Sequence, residues 1–306
     1  LDIGGTKIHG VLVGPDGSVR AEHRAATVVG PEGTVQGAVD AVLALRGEVS
    51  DDGAPGAVRL DGVGIGVPGV VDPATGSVRY AMNLGLDAEP FALAAAVSAR
   101  LDGVRVVLEN DLNATALGAT VLLDGVGDDL AYLALGTGVA VGLVLDGRLR
   151  RGTFGLAGEV GHLPVDPEGL ECPCGQRGCL ELYASGSGLA RQFPHTGPEP
   201  IAAAVFAAAD AGDALAVEVR DRLLDGVAEM TQMLVLSLDV GAVVLGGGIA
   251  RLGDPLLAGV RSRLERREGS SAFLAASGLA SRVRLAPPDV PVGPVGAAMN
   301  LRGGER

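Results

Sequence analysis

Tryptophan is absent from this chain, and aromatic residues make up only 3% of it. Its core must therefore be built from Ala, Val, Leu and Gly, the palette of an α/β protein. Basic charge is also scarce: 24 Lys and Arg stand against 37 Asp and Glu, a net charge of −13. That balance argues against nucleic acid or an anionic membrane surface as partner. Phosphate, if handled at all, must be held by backbone N–H groups, helix ends and a metal rather than by a basic field. No apolar run reaches membrane-spanning length and no signal-peptide pattern is present. The three cysteines lie in one cluster and leave none for a disulfide framework, so a reducing cytoplasm is the expected location. What the chain has in quantity is apolar residue, 47% of 306 positions, enough for about two domains. It opens at Leu1 inside an apparent strand, so a few residues upstream are expected.

The most informative stretch is 162–181, in which Cys172, Cys174 and Cys179 follow His162. Three thiolates and an imidazole can close a tetrahedral site, a donor set that zinc favours. Gly175 and Gly178 allow the tight turns that convergence needs. A closed four-ligand site is structural: it would pin a loop that also carries Glu159 and Glu181. Carboxylates, amides and an imidazole are the groups that clamp sugar hydroxyls, and Asn83 lies in a similar polar break, Met82-Asn-Leu-Gly85. A zinc-bound His162 could still donate from its second ring nitrogen.

Elsewhere strands alternate with helices. Strands are expected at 1–30, Asp61–Val67, Val104–Leu108, Leu130–Leu135, Val139–Leu145, Val243–Leu245 and 282–286. Helices are expected at 33–48, 90–101, 112–123, 181–192, 199–211, 213–238, 254–267 and 293–302. This alternation implies mostly parallel sheets covered on both faces. Ile3–Val13 aligns with Leu135–Leu145, Gly4 on Gly136 and Gly10 on Gly142, as in an internal duplication with one hairpin per domain. Domains are expected at 1–112 and 113–292, with 293–306 folding back onto the first.

Three glycine runs carry phosphate chemistry. Gly4, Gly5, Thr6 and Lys7 form a turn directly after a strand, whose amides can hold phosphate oxygens while Asp2 orients hydrated Mg²⁺. Gly136, Thr137 and Gly138 form the matching turn. Gly246, Gly247 and Gly248 end a buried strand, where missing side chains leave room either for a nucleotide base and ribose or for close packing. Asp111 opens the helix after Val104–Leu108. It reads equally as an N-cap or as the general base that accepts a hydroxyl proton in phosphoryl transfer.

Together, Asp2-Ile-Gly-Gly-Thr-Lys7, Leu135-Gly-Thr-Gly138, Glu109-Asn-Asp111, Gly158-Glu-Val-Gly-His162 and Cys172-Pro-Cys-Gly-Gln-Arg-Gly-Cys-Leu-Glu181 resemble the ROK family of sugar kinases and repressors. The resemblance spans essentially the whole chain. It implies a two-domain, actin-like and hexokinase-like (ribonuclease-H-like) ATPase fold with an interdomain active-site cleft, and ATP-dependent phosphorylation of a hexose, usually at the 6-hydroxyl. Asp111 would be the catalytic base. Asn83, Asn110, Asp111, Glu159, His162 and Glu181 would line the sugar pocket. ATP with Mg²⁺, a structural zinc and a homodimer or homotetramer are implied as well. Two positions depart from the family pattern: Val139-Ala-Val-Gly142 replaces a glycine run, and Leu86 stands where many members carry Trp.

Glucose is the expected substrate, with N-acetylglucosamine, N-acetylmannosamine or fructose as alternatives. A sugar-responsive transcriptional regulator of the same family is the other alternative if a DNA-binding domain precedes this sequence. Retention of Asp2, Lys7 and Asp111 favours catalysis.

Overall fold

The computed structural model describes residues 1–50 and 59–303. The chain divides into two compact units, Leu1–Leu122 with Val290–Arg306, and Leu123–Asp289. The last residues of the expected returning segment, 304–306, lie outside the described residues. Among the described residues no helix is long and apolar enough to cross a membrane.

The first unit is built on five strands, β1 (Asp2–Ile3), β2 (Lys7–Val13), β3 (Val19–Ala26), β4 (Val63–Val67) and, after a separate β5–β6 hairpin (Val70–Asp72, Ser77–Arg79), β7 (Val106–Asn110). Their order is β3-β2-β1-β4-β7, with the first two pairings antiparallel and the last two parallel. Helices α1 (Pro31–Ser50), α2 (Leu93–Arg100) and α3 (Asp111–Leu122) accompany the sheet. Every residue of β4 is buried, as a central parallel strand requires. The β5–β6 hairpin is too short for period-two alternation to reveal in sequence.

The second unit repeats the plan. Strands β8 (Leu130–Leu135), β9 (Val139–Leu145), β10 (Arg148–Leu149), β11 (Ala242–Gly246) and β12 (Val283–Leu285) lie in the order β10-β9-β8-β11-β12, with the same sequence of pairing senses. Its helices are α4 (Glu181–Ala184), α5 (Gly186–Gln192), α6 (Ile201–Asp210), α7 (Ala214–Leu238), α8 (Asp254–Ser270), α9 (Ala272–Ser277) and α10 (Leu279–Arg282). The single helix expected over 181–192 is broken at Ser185, which is extended (φ −116°, ψ 163°) and whose side chain accepts from Gly188 N–H to cap α5. Leu133, Leu135, Val243 and Leu245 turn into a core shared with Leu223, Val227, Val260 and Leu264 of α7 and α8.

The chain then returns to the first unit as α11 (Val292–Gly303), which packs on α3. That contact depends on glycine. A Cβ at Gly118 or Gly296 would overlap the backbone of the facing helix, and one at Gly64 would overlap the Ala297 carbonyl of α11. Helix α3 accordingly belongs with the first unit, so the observed division follows Leu122.

Candidate active site

In the first unit, β1 delivers Asp2 and then turns sharply through Gly4–Lys7 into β2. The turn closes with Gly4 N–H donating to Lys7 O at 2.9 Å. Thr27 Oγ1 donates to Gly4 O at 2.6 Å and fixes the loop from the β3 side. Among the described residues the amides of Gly5 and Thr6 have no protein acceptor, as a phosphate cradle requires. Asn83, in a 3₁₀ turn, lies directly against this cradle: a Cβ on Gly5 would stand 2.7 Å from the Asn83 Cβ. Leu86 is buried at 3% exposure in the unit's core.

Strand β7 and helix α3 present Glu109, Asn110 and Asp111. Asn110, not Asp111, caps the helix: its Oδ1 accepts from Leu112 N–H at 3.0 Å and from Asn113 N–H at 3.3 Å. The Asn110 amide also donates to Gly69 O at 3.2 Å, which engages much of its hydrogen-bonding capacity internally. Buried Glu109 accepts from Asn110 N–H and from Asn113 Nδ2. Asp111 takes the first helical position, and its Oδ1 accepts from Leu112 N–H at 2.8 Å. Burial raises the Asp111 carboxyl above the usual range, and the Leu112 bond partly offsets this.

Asp2 is pushed up to about 6, first by burial and then by the Asp111 charge. Two neighbouring carboxylates, one of which is raised by the charge of the other, fit a divalent cation, which would relieve their repulsion. Without ligand, they cost stability. The unfolded Asp2 titrates near 3.8, so the folded state holds the extra proton between about 3.8 and 6. Stability therefore falls as pH rises through that window. At 1.36 kcal/mol per pKa unit the penalty at neutral pH is up to ~3 kcal/mol. Asp2→Asn is expected to melt several degrees above the unliganded wild type at pH 7.5, with the gap narrowing by pH 5. Equal melting temperatures at pH 7.5 would show that the charge is not held against a penalty.

In the second unit, β8 turns through Gly136–Gly138 into β9, with Gly136 N–H donating to Gly138 O at 3.0 Å. Helix α5 holds the turn from behind: Gly186 N–H donates to Gly136 O at 2.8 Å, and Ser187 Oγ to Thr137 O at 2.7 Å. Thr137 and Gly138 keep their amides without a protein acceptor among the described residues. Val139 and Val141, at the positions that depart from the family pattern, point into the core and leave those amides clear.

Glu181, at the start of α4, reaches this turn. Its Oε2 accepts from Val139 N–H at 3.1 Å and fills the space where a Gly138 side chain would lie. The loop bearing Glu159 and His162 is seated on β9 by two glycines. Gly158 O accepts from Val141 N–H at 2.8 Å, and side chains at Gly158 or Gly161 would collide with the Val141 or Val139 carbonyl. Glu159 is exposed.

His162 and the three cysteines converge as expected, their ligand atoms all within 4.8 Å of one another. Cys174 and Cys179 Sγ are 3.6 Å apart, and Cys172 Sγ is 3.9 Å from His162 Nδ1. Zn–S bonds of about 2.3 Å in a tetrahedron place sulfurs about 3.8 Å apart, so the donor set fits zinc. With Nδ1 facing the sulfurs, His162 keeps Nε2 for another partner. Gln176 Nε2 donates to His162 O at 3.1 Å and to Cys174 Sγ at 3.5 Å, bracing the cluster.

The run Gly246–Gly248 is mostly explained by packing. The Tyr132 ring occupies the space beside Gly246, and Gly247 (φ 84°) presses on the Leu135 backbone. Only Gly248 opens onto free space. Sequence reading missed Tyr183, which ties down the metal loop by donating to Asp166 Oδ2 at 3.1 Å and accepting from Leu170 N–H at 3.3 Å. It also missed Ser187 and Thr27, because a hydroxyl bonded to a distant carbonyl leaves no local pattern.

The ROK family model matches residues 1–276. A glucokinase of Streptomyces coelicolor is 34% identical over 286 residues, covering 87% of this chain and 86% of the relative. The crystal structure of the ROK hexokinase from Thermus thermophilus superposes with a TM-score of 0.82 at 30% identity, covering 100% of this chain and 98% of that one. A ROK family glucokinase from Streptomyces griseus, in complex with glucose and AMPPNP, does so at 0.69 with 34% identity, covering 99% and 98%. The duplicated sheets and these neighbours make the architecture that of the actin-like ATPases. With the motifs, both glycine turns and the Cys₃His cluster in place, the chain belongs to the ROK family.

Proposed function

We propose that the protein transfers the γ-phosphoryl group of ATP to the 6-hydroxyl of a hexose, with glucose as the expected substrate. The observation that carries this reading is Asp111. It is a partly buried carboxylate at the first position of α3, released from capping by Asn110 and next to a second partly buried carboxylate and a glycine cradle. A group so placed accepts the proton of an attacking hydroxyl, the one covalent task such a transfer asks of the protein.

The amides of Gly5 and Thr6 in the first unit, and of Thr137 and Gly138 in the second, would hold phosphate oxygens, with Lys7 adding a charge. Asn83 stands against the first cradle, and Glu159, His162 and Glu181 stand on one segment of the second unit. These residues would hold and orient the sugar. Gly248 offers the open position in its glycine run for the nucleoside. Asp2 and Asp111 would hold hydrated Mg²⁺, which when bound neutralises charge developing on the phosphates. His162, Cys172, Cys174 and Cys179 would hold one structural zinc.

ADP release with ATP and one sugar at a time tests the reading. Glucose should give the largest kcat/KM. Absence of sugar-dependent ADP with glucose, mannose, fructose, N-acetylglucosamine and N-acetylmannosamine alike would overturn it.

A further inference from the structure

We propose that Gly293, in the first turn of α11, is a positioning residue for Asp2: its missing side chain is the seat that fixes the direction of that carboxylate. The assignment rests on the reading of Asp2 as the group that holds the metal of a metal–nucleotide complex.

A Cβ at position 293 would stand 2.9 Å from Asp2 Oδ2, 3.2 Å from its Cγ and 3.4 Å from its Cβ. Gly293 is not among the residues with positive φ, so its backbone does not require glycine. Pro294 follows, and a Cβ on the residue before proline is disfavoured in a helical conformation, which is one reason for a glycine here. Space for Asp2 is the second, and the one that reaches a carboxylate of the site.

Neither backbone can yield to an added methyl group. Helix α11 is clamped on one side by the Gly118–Gly296 contact with α3 and on another by Gly64 of β4 against the Ala297 carbonyl. Asp2 is held in the sheet between two strands, opposite His9 of β2 and Gly66 of β4. What can move is the Asp2 side chain, through its two torsions. Among the described residues no protein donor binds that carboxylate, so contact shape rather than hydrogen bonding sets its direction. The group is partly buried beside Asp111, and a turn of the carboxylate alters the geometry offered to a cation.

The experiment compares Gly293→Ala, Asp2→Asn and the double variant with wild type. Binding of Mn²⁺ in the presence of AMPPNP is read by electron paramagnetic resonance, and glucose binding by calorimetry. Gly293→Ala should weaken Mn²⁺–AMPPNP binding roughly 10-fold, in line with the sensitivity of such sites to ångström-scale misplacement. A small fall in melting temperature is expected from a Cβ placed before Pro294, and glucose affinity should not change. In the Asp2→Asn background the same substitution should have no further effect, because it acts through that carboxylate. Unchanged Mn²⁺–AMPPNP binding in folded Gly293→Ala would overturn the assignment. So would an equal loss in the Asp2→Asn background, or a parallel loss of glucose affinity and melting temperature. Failure of wild type itself to bind Mn²⁺–AMPPNP would overturn the kinase reading and the assignment together.

Discussion

Asp111→Asn should cut sugar-dependent ADP formation by about 10²–10⁴-fold while leaving the fold intact, the usual cost of losing a general base. The structure makes this a clean substitution. The start of α3 is capped by Asn110, whose Oδ1 accepts from Leu112 and Asn113 N–H. The bond that Asp111 accepts from Leu112 N–H can be kept by an amide oxygen. Because Asp111 is held above its usual pKa by burial, replacing it by a neutral group should not lower the melting temperature. Asn110→Ala is the complementary variant: loss of an N-cap typically costs about 0.5–2 kcal/mol, so this protein should melt earlier. Turnover of Asp111→Asn within a few-fold of wild type would remove the base role. A large drop in its melting temperature would show that the carboxylate is structural after all.

Cys179→Ser should release the metal, loosen the segment 163–181 and abolish sugar phosphorylation together. The segment has little core of its own. Leu180 anchors its end in the core of the second unit; otherwise Cys172 and Cys179 are buried in a small cluster with Leu182 and Tyr183 just beyond it, and two of these four are proposed metal ligands. A loop so poor in apolar contacts needs a staple, and structural zinc supplies apparent binding energies of about 10–16 kcal/mol in small domains. His162 and Glu181 lie at the two ends of the stapled segment, and Gln176 links the His162 carbonyl to the thiols. Elemental analysis should find about one zinc per chain in wild type and none in the variant. Limited proteolysis should cut the variant between 163 and 181. Full activity in a metal-free preparation would separate the cluster from the sugar-binding residues.

The convergence of His162 with three cysteines, the two glycine turns and the duplication were legible in the chain because each rests on local chemistry at short spacing. Three thiols within eight residues have few other uses, and a Gly-Gly-Thr or Gly-Thr-Gly turn after an apolar run announces exposed amides. The repeated hairpin foretold two sheets of one order. Alternation of strand and helix was enough for the α/β class.

Tertiary structure decided what depends on contacts between distant residues. Sequence could not say whether Asn110 or Asp111 caps α3, since both are good caps and only backbone direction separates them. It could not show that Tyr132 fills the space beside Gly246, or that Gly293 faces Asp2 across nearly the whole length of the chain. A glycine looks the same in sequence whether it admits a ligand, a neighbouring side chain or another backbone. Only the packed structure, where each missing Cβ meets an identifiable atom or open space, distinguishes the three.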